Sequence, residues 1–215
     1  MKQPFVLFDF DGTLVQSKLL AVRLFNDLAA KYGGRRIAEE EIGRLSDLSI
    51  PDRLRALGVP LYKLPALALE GKRAYRKESA HLRLAEGIRE TLSALREQGH
   101  RLGILSSNSN ENIRRYLETN GLDFFEVVHS ASNLFGKDKA IRSLARSMGL
   151  EQSQLLYVGD ELRDVEACRN IAVPVAAVTW GWDSAKLLAE AGPDYLCHSP
   201  AELLKIVTGL GSSSR

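Results

Sequence analysis

The stretch PFVLFDFDGTLVQS, residues 4–17, decides the fold of this chain. Its run of Phe, Val and Leu predicts a buried strand, which leads into two aspartates, Asp9 and Asp11, and then a turn at Gly12. Two like charges this close repel each other and raise one pKa unless a cation stands beside them. The pair therefore indicates a metal ion, a shared proton or both at the end of a strand.

Further β-rich runs follow along the chain and alternate with helical patterns. They are apolar throughout, as expected of strands that are covered on both faces, and they predict an α/β fold with a Rossmann-like, doubly wound parallel sheet. The predicted helix boundaries agree with this fold. One helix is expected to stop at Gly99, and another to begin at Pro200 with Ser199 as its N-cap. The predicted strands are 5–10, 101–107, 124–130, 155–160, 174–180 and the weaker 194–199.

Residues 17–85 interrupt this alternation, because no second strand follows the first where one is due. The segment is predicted to be a small α-helical cap, inserted into an α/β core of residues 1–16 and 86–210. Residues 211–215 are expected to be a flexible tail. Within the insert, the run EGKRAYRKE (70–78) is interpreted as a solvated helix face. The helical stretches lie near 17–33, 38–47, 51–58 and 64–79.

Composition argues against several kinds of partner. The chain has 215 residues and a net charge of +2 with dispersed basic residues, so neither a nucleic-acid surface nor a membrane-binding patch is expected. Asp9 and Asp11 break the N-terminal apolar run before a signal peptide or membrane span is complete. Cys168 and Cys197 lack metal-type spacing and suit a reducing compartment as small buried residues. We expect a cytoplasmic protein, monomeric or homodimeric, with a small-molecule partner.

Polar residues follow the ends of the other predicted strands. Because ligands bind beyond the carboxyl ends of parallel strands, these residues are expected to gather near Asp9 and Asp11. Carboxylates without a Cys or His ligand set favour Mg²⁺ over Zn²⁺, and the hydroxyl, amide and ammonium groups would cradle a phosphoryl group. The residues are Ser106, Ser107, Asn108, Lys137, Lys139, Asp160, Glu161 and Asp164.

Four ordered motifs resemble those of the haloacid dehalogenase (HAD) superfamily, over residues 5 to about 205. The position of the insert is similar to that of the helical cap in the phosphoglycolate phosphatase and β-phosphoglucomutase group. The resemblance implies a Mg²⁺-dependent phosphatase for a small soluble phosphomonoester, with phosphoglycolate as the first candidate. The motifs are DFDGT at 9–13, Ser106, Lys137, and Gly159-Asp160 with Asp164.

The resemblance also implies a role for each matching residue. Asp9 would attack phosphorus and become an aspartyl-phosphate, while Asp11 would protonate the leaving oxygen and then activate water. Ser106 would donate a hydrogen bond to a phosphoryl oxygen. Lys137 would neutralise the phosphoryl charge.

The implied metal site uses three of the aspartates. Mg²⁺ would be held by the Asp9 carboxylate, the Asp11 backbone carbonyl and Asp160. Asp164 would be an outer ligand or a support for Lys137. The residues assigned to substrate binding are Gly12, Thr13, Ser107 and Asn108.

Two departures from the group leave the substrate open. Gln16 stands where the group commonly has Asp, and Asp138 follows the lysine where the group usually has proline. The identity of the lysine is also open, because Lys139 lies close beyond Lys137 in the chain. Lys137 is preferred for its distance to Asp160.

Other functions stay open on the sequence. A phosphomutase would return the phosphoryl group to a sugar, and a phosphonoacetaldehyde hydrolase would need a cap lysine such as Lys63 or Lys72. A phosphoacceptor signalling module also places an acidic cluster, a hydroxyl and a lysine on a parallel sheet. Asp9 on the first strand argues against that module.

Several of these residues also have ordinary structural interpretations. Ser106 or Asn108 can cap the next helix, and Asp164 can be a first-turn acid. Trp180 and Trp182 lie just past a strand end, where core packing and substrate contact are both open. The candidates for substrate selection in the insert are Arg44, Asp47, Arg53 and Lys63.

Overall fold

The structure is a computed structural model that describes residues 3–78, 82–131 and 136–212. Within these residues, six strands form one parallel sheet in the order 3-2-1-4-5-6. The strands are β1 (Phe5–Phe8), β2 (Leu102–Ser106), β3 (Val127–Ser130), β4 (Leu155–Gly159), β5 (Val175–Val178) and β6 (Tyr195–Cys197). The predicted α/β fold with a parallel sheet is confirmed, and each strand is shorter than the apolar run that predicted it.

Helices connect the strands and form the segment between β1 and β2. In the described part of the chain they are α1 (Lys18–Leu28), α2 (Ile42–Ser46), α3 (Ile50–Ala56), α4 (Leu64–Glu78), α5 (Ile88–Glu97), α6 (Asn110–Thr119), α7 (Lys137–Ser147), α8 (Leu162–Arg169), α9 (Ala185–Ala191) and α10 (Pro200–Ser212). Short 3₁₀ turns lie at Ala29–Tyr32, Glu39–Glu41, Leu61–Lys63 and Gln152–Gln154. Each helical stretch that the sequence predicts before β2 contains a helix.

The sheet is buried on both faces, which explains why its strands are apolar throughout. Along β1, Val6 and Phe8 point to one face and Phe5 and Leu7 to the other, because side chains alternate along a strand. Helices α5, α6 and α10 cover the first face, and α7, α8 and α9 cover the second. Each fully buried side chain of this size stabilises the fold by about 1.5–3 kcal/mol.

The predicted helix boundaries have clear physical causes. Helix α5 is followed by Gly99, whose φ of +82° lies in the left-handed region. Before α10, the Ser199 hydroxyl accepts a hydrogen bond from the backbone N–H of Glu202 at 3.2 Å. Helix α10 continues to Ser212, so it extends into the segment 211–215 that the sequence predicts to be a flexible tail. Residues 213–215 lie outside the described residues.

The helical segment formed by α1 to α4, between β1 and α5, has apolar clusters of its own. They are distinct from the two clusters that cover the sheet, and α1 packs against α4 beside them. Their buried members are Val22, Ile37, Leu45 and Leu57 in one cluster and Tyr32, Leu54, Val59 and Leu67 in the other. The segment therefore holds its helices together by local burial of apolar side chains.

Cys168 and Cys197 are both buried free thiols, as predicted. Among the described residues, no helix combines the length and the apolar character that a membrane span requires.

Candidate active site

Three neighbouring strands bring polar side chains to one edge of the sheet. β1 lies between β2 and β4, at the point where the order of the strands reverses. Asp9 follows β1, Ser106 ends β2 and Asp160 follows β4, and all three residues are buried. Open parallel sheets bind ligands at such a switch point. The structure therefore brings these three predicted site residues together.

The turn after β1 depends on a glycine. Asp9 accepts a hydrogen bond from the Phe10 N–H at 2.6 Å, and the Gly12 N–H donates to the Val15 carbonyl at 3.0 Å. Gly12 has a φ of +81°, and a Cβ atom at this position would overlap the carboxylate of Asp160. Any side chain here would meet both backbone strain and a steric clash.

We expect Gly12→Ala to lower the free energy of unfolding by about 2–5 kcal/mol, which combines left-handed strain with overpacking. Gly121→Ala is the matched control, because Gly121 has a φ of +64° with open space where the Cβ would lie. It should lose only about 1–2 kcal/mol from strain. Urea denaturation of both variants measures the difference, and equal losses would contradict the overlap with Asp160.

Asp160 is held in place by two donors. The Thr13 hydroxyl donates to Oδ1 of Asp160 at 2.8 Å, and the Trp182 backbone N–H donates to Oδ2 at 2.8 Å. Thr13 is fully buried, so its hydroxyl contacts a carboxylate of the site rather than the cavity described below. Trp180 packs against the sheet core and donates from its indole nitrogen to the Thr13 carbonyl at 3.0 Å.

Lys137 lies between two carboxylates at the start of α7. Its ammonium group donates to Asp9 and to Asp164, and all three side chains are buried. Burial alone would lower the pKa of Lys137, but the carboxylates of Asp164 and Asp9 outweigh it and raise the pKa above its ordinary value. Lys139 is exposed. The geometry therefore places Lys137, and not Lys139, at the site.

Three buried carboxylates form a cluster that can hold a metal ion. Oxygen atoms of Asp9, Asp160 and Asp164 all lie within 4.8 Å of one another. Burial, together with the charges of Glu161, Asp9 and Asp164, raises the pKa of Asp160 well above its ordinary value. A cation among these oxygens would stabilise the ionised carboxylates, and oxygen donors of this kind suit hard cations. The donor set therefore fits a divalent metal.

Asp11 is placed apart from this cluster, between two donors. The Tyr75 hydroxyl donates to its Oδ1, and the Asn108 side-chain amide donates to its Oδ2 at 3.2 Å. Burial raises the pKa of Asp11 to about 7, although the hydrogen bond from Tyr75 acts in the opposite direction. A carboxyl group with such a pKa can give and take a proton near neutral pH.

A cavity of about 590 Å³ joins the strand ends to the helical segment. On the sheet side it is lined by Asp11, Gly12, Ser107, Asn108 and Asp160. On the helical side, apolar residues of α1, α3 and α4 line it. Among the residues that the structure describes, five cationic side chains also line the cavity, namely Lys18, Arg53, Lys72, Arg76 and Arg163. A cavity with buried carboxylates at one end and cations around it can accept an anionic ligand.

Comparisons with known proteins agree with this geometry. The sequence pattern of the haloacid dehalogenase-like hydrolase family matches residues 6–178. The chain belongs to the haloacid dehalogenase-like hydrolase family. It is 36% identical over 206 residues to a phosphoglycolate phosphatase of Synechococcus elongatus, covering 95% of this chain and 97% of the relative. It is 29% identical over 212 residues to a pyrophosphatase, PpaX, of Listeria monocytogenes, covering 94% of this chain and 95% of the relative.

A solved structure shares the fold. A haloacid dehalogenase-like family hydrolase from Streptococcus pneumoniae superposes with a TM-score of 0.78 at 19% identity, covering 94% of this chain and 97% of the other. The matches to the family and to phosphatases extend over most of the chain. This HAD-like chain is therefore a hydrolase of the phosphatase type.

The interpretation of residues 70–78 as a solvated helix face holds for the exposed residues Lys72, Arg73, Arg76 and Lys77, but it missed that one side of α4 faces the cavity. Gly71, Lys72, Tyr75 and Arg76 all line the cavity. Their spacing is that of one helix face, with neighbours three and four residues apart. The same periodicity is present in the sequence, but the charged residues around Tyr75 favoured the interpretation as a solvated face.

Arg53, one of the four candidates for substrate selection, lines the cavity. Arg53 is buried, pairs with Asp183 at 2.6 Å and stacks on the ring of Trp182. Arg44 and Asp47 are exposed. The fourth candidate, Lys63, donates to the Tyr32 carbonyl at 3.2 Å.

Ser106 and Asn108 are not the N-cap of helix α6. The N-cap of α6 is Ser109, whose hydroxyl accepts a hydrogen bond from the Asn112 N–H at 3.3 Å. Ser106 is fully buried at the end of β2, and Asn108 donates to Asp11. Asp164 combines both interpretations, because it lies in the first turn of α8 and also contacts Lys137.

Proposed function

We propose that this HAD-like phosphatase hydrolyses a small phosphomonoester through an aspartyl-phosphate formed on Asp9. One observation carries the proposal: at the end of β1, the carboxylate of Asp9 is bound to Lys137, while the nearby carboxyl group of Asp11 is held separately. Two carboxyl groups in such different environments suit two different tasks.

The first step is attack on phosphorus. Burial would raise the pKa of Asp9, but the charges of Lys137 and Arg163 keep it below its ordinary value, so Asp9 is ionised. A carboxylate oxygen of Asp9 forms a bond to phosphorus, and the bond from phosphorus to the leaving oxygen breaks. Asp11 gives its proton to that leaving oxygen, which departs as a neutral hydroxyl group.

The second step releases phosphate. Asp11, now ionised, takes a proton from a water molecule whose oxygen attacks phosphorus. The bond between phosphorus and Asp9 breaks, and the carboxylate of Asp9 is regenerated. Lys137 stabilises charge on the transferred group. The oxygen of the Ser106 hydroxyl accepts a hydrogen bond from the backbone N–H of Asn108 at 3.3 Å. The hydrogen of that hydroxyl is therefore available to a phosphoryl oxygen.

We assign Mg²⁺ to the carboxylate cluster. Asp9, Asp160 and the backbone carbonyl of Asp11 would hold the ion, and Asp164 would support Lys137. Bound there, Mg²⁺ would supply positive charge that stabilises the phosphoryl oxygens during transfer. The oxygen-only donor set and the raised pKa of Asp160 support this assignment.

We also propose that residues 17–85 act as a cap over a core of residues 1–16 and 86–210. The cavity between α4 and the strand ends supports this division, since its lining comes from both parts. A cap of this kind would exclude water and leave room only for a small substrate. We place phosphoglycolate first among phosphomonoesters, because the relative that is 36% identical is a phosphoglycolate phosphatase. Pyrophosphate, a phosphoanhydride, is the alternative substrate, because the relative that is 29% identical is a pyrophosphatase.

The metal assignment predicts that EDTA abolishes phosphate release from phosphoglycolate, pyrophosphate or p-nitrophenyl phosphate, and that added Mg²⁺ restores it. Asp160→Asn should lower turnover by at least about 100-fold, because it removes one charged ligand. Asp123→Asn is the matched control, since Asp123 is exposed and distant in the chain from every motif. Free phosphate as the product distinguishes hydrolysis from a phosphomutase. Full activity of metal-free protein, or of Asp160→Asn, would contradict the assignment.

A further inference from the structure

We propose that Tyr75 is a positioning residue that orients the carboxyl group of Asp11 for its proton transfers. The inference rests on the proposed function, in which Asp11 is the acid and base. As a consequence, turnover requires that α4 lies against the strand ends.

The contact itself joins the two parts of the chain that form the cavity. The Tyr75 hydroxyl donates to Oδ1 of Asp11, while Asn108, just after β2, donates to Oδ2 at 3.2 Å. The carboxyl group is thus held at both oxygens, at one by a residue of α4 and at the other by a residue that follows β2. Each carboxyl oxygen has two lone-pair positions, so one position on each oxygen is left for the transferred proton.

Helix α4 packs against α1, and polar contacts on both sides of Tyr75 connect α4 to neighbouring elements. Glu70 accepts hydrogen bonds from Lys31 at 2.6 Å and from the Tyr32 hydroxyl at 2.7 Å. Glu78 pairs with Arg23 of α1. These contacts flank Tyr75 along α4 and tie that helix to the rest of the helical segment. The hydroxyl therefore reaches Asp11 only when the whole segment lies against the strand ends.

A phenol suits this position because it donates without competing for the proton. The ordinary pKa of a phenol is about 10, so the Tyr75 hydroxyl keeps its hydrogen at neutral pH and can donate it to Asp11. A lysine would add a charge, and a serine on the same helix would be too short to reach. Loss of the hydroxyl would free the carboxyl group to rotate away from the leaving oxygen.

The test is Tyr75→Phe, measured as kcat/KM on two esters with different leaving groups. We expect kcat/KM for an alkyl phosphate to fall about 10–100-fold, because its leaving oxygen needs a proton from Asp11. For p-nitrophenyl phosphate, whose leaving group needs little protonation, the loss should be at least about fivefold smaller. In an Asp11→Asn background, adding Tyr75→Phe should cause no further loss on the alkyl ester.

Tyr62→Phe is the matched control, because Tyr62 is 80% exposed and belongs to the same helical segment. It should leave both esters unaffected. Equal losses of Tyr75→Phe on the two esters, or a full additional loss in the Asp11→Asn background, would show a merely structural role and overturn the inference. Full activity of Asp11→Asn on the alkyl ester would instead overturn the proposed function itself.

Discussion

Asp9→Asn is expected to lower the rate of phosphate release by at least about 10³-fold while the chain stays folded. The amide keeps the shape of the side chain and an oxygen that can accept the hydrogen bond from the Phe10 N–H, which spans 2.6 Å. It lacks the charged oxygen that would attack phosphorus. Lys137 would retain its ion pair with Asp164, so the buried ammonium group keeps a partner.

Steady-state release of phosphate from p-nitrophenyl phosphate with Mg²⁺ measures the loss, and thermal unfolding of the same samples checks the fold. Asp123→Asn repeats the chemical change at an exposed aspartate and should retain full activity. If Asp9→Asn stays folded and turns over within about tenfold of the unmodified chain, Asp9 is not the nucleophile.

Lys137→Met is expected to have the largest effect on stability, a loss of about 3–5 kcal/mol in the free energy of unfolding without metal. The change removes the buried cation that pairs with both Asp9 and Asp164, each at most 2% exposed. Their carboxylates would then lie buried beside Asp160 without that partner. Turnover should also be lost, because the same ammonium group stabilises charge on the phosphoryl group.

Lys139→Met provides the matched control, since Lys139 lies on the same helix but is exposed. It should change the free energy of unfolding by no more than about 0.5 kcal/mol and keep activity. Urea denaturation in EDTA at about pH 8 is suitable, because protonation of the carboxylates at lower pH would relieve their repulsion. Similar effects of the two substitutions would contradict the position assigned to Lys137.

Much of the fold could be predicted because its local signals agree with one another. Phe5 to Phe8 are apolar on both faces of β1, which is typical of a strand in a covered parallel sheet. The polar residues Asp9 and Asp160 follow their strands at once, and parallel pairing brings the ends of β1 and β4 side by side. Their place beyond the carboxyl ends of the strands is where open parallel sheets bind ligands.

The contacts across the cavity could not be predicted in the same way. A helix period shows that Tyr75 and Lys72 share a face, but not which element that face meets. The Tyr75 hydroxyl and Asp11 are far apart in sequence, and their contact depends on how the helical segment packs. For Thr13, the sequence motif predicts a contact with substrate. In the structure its hydroxyl instead donates to the carboxylate of Asp160.

The most direct test of the proposed chemistry is to trap the phosphorylated aspartate. The protein would be quenched in acid during turnover with Mg²⁺ and treated with borohydride, which reduces an acyl phosphate to an alcohol and leaves free carboxylates intact. Peptide mass analysis should then find homoserine at position 9, in the peptide containing DFDGT, and none in a sample without substrate. Reduction at another carboxylate, or none at position 9 during active turnover, would contradict covalent catalysis by Asp9.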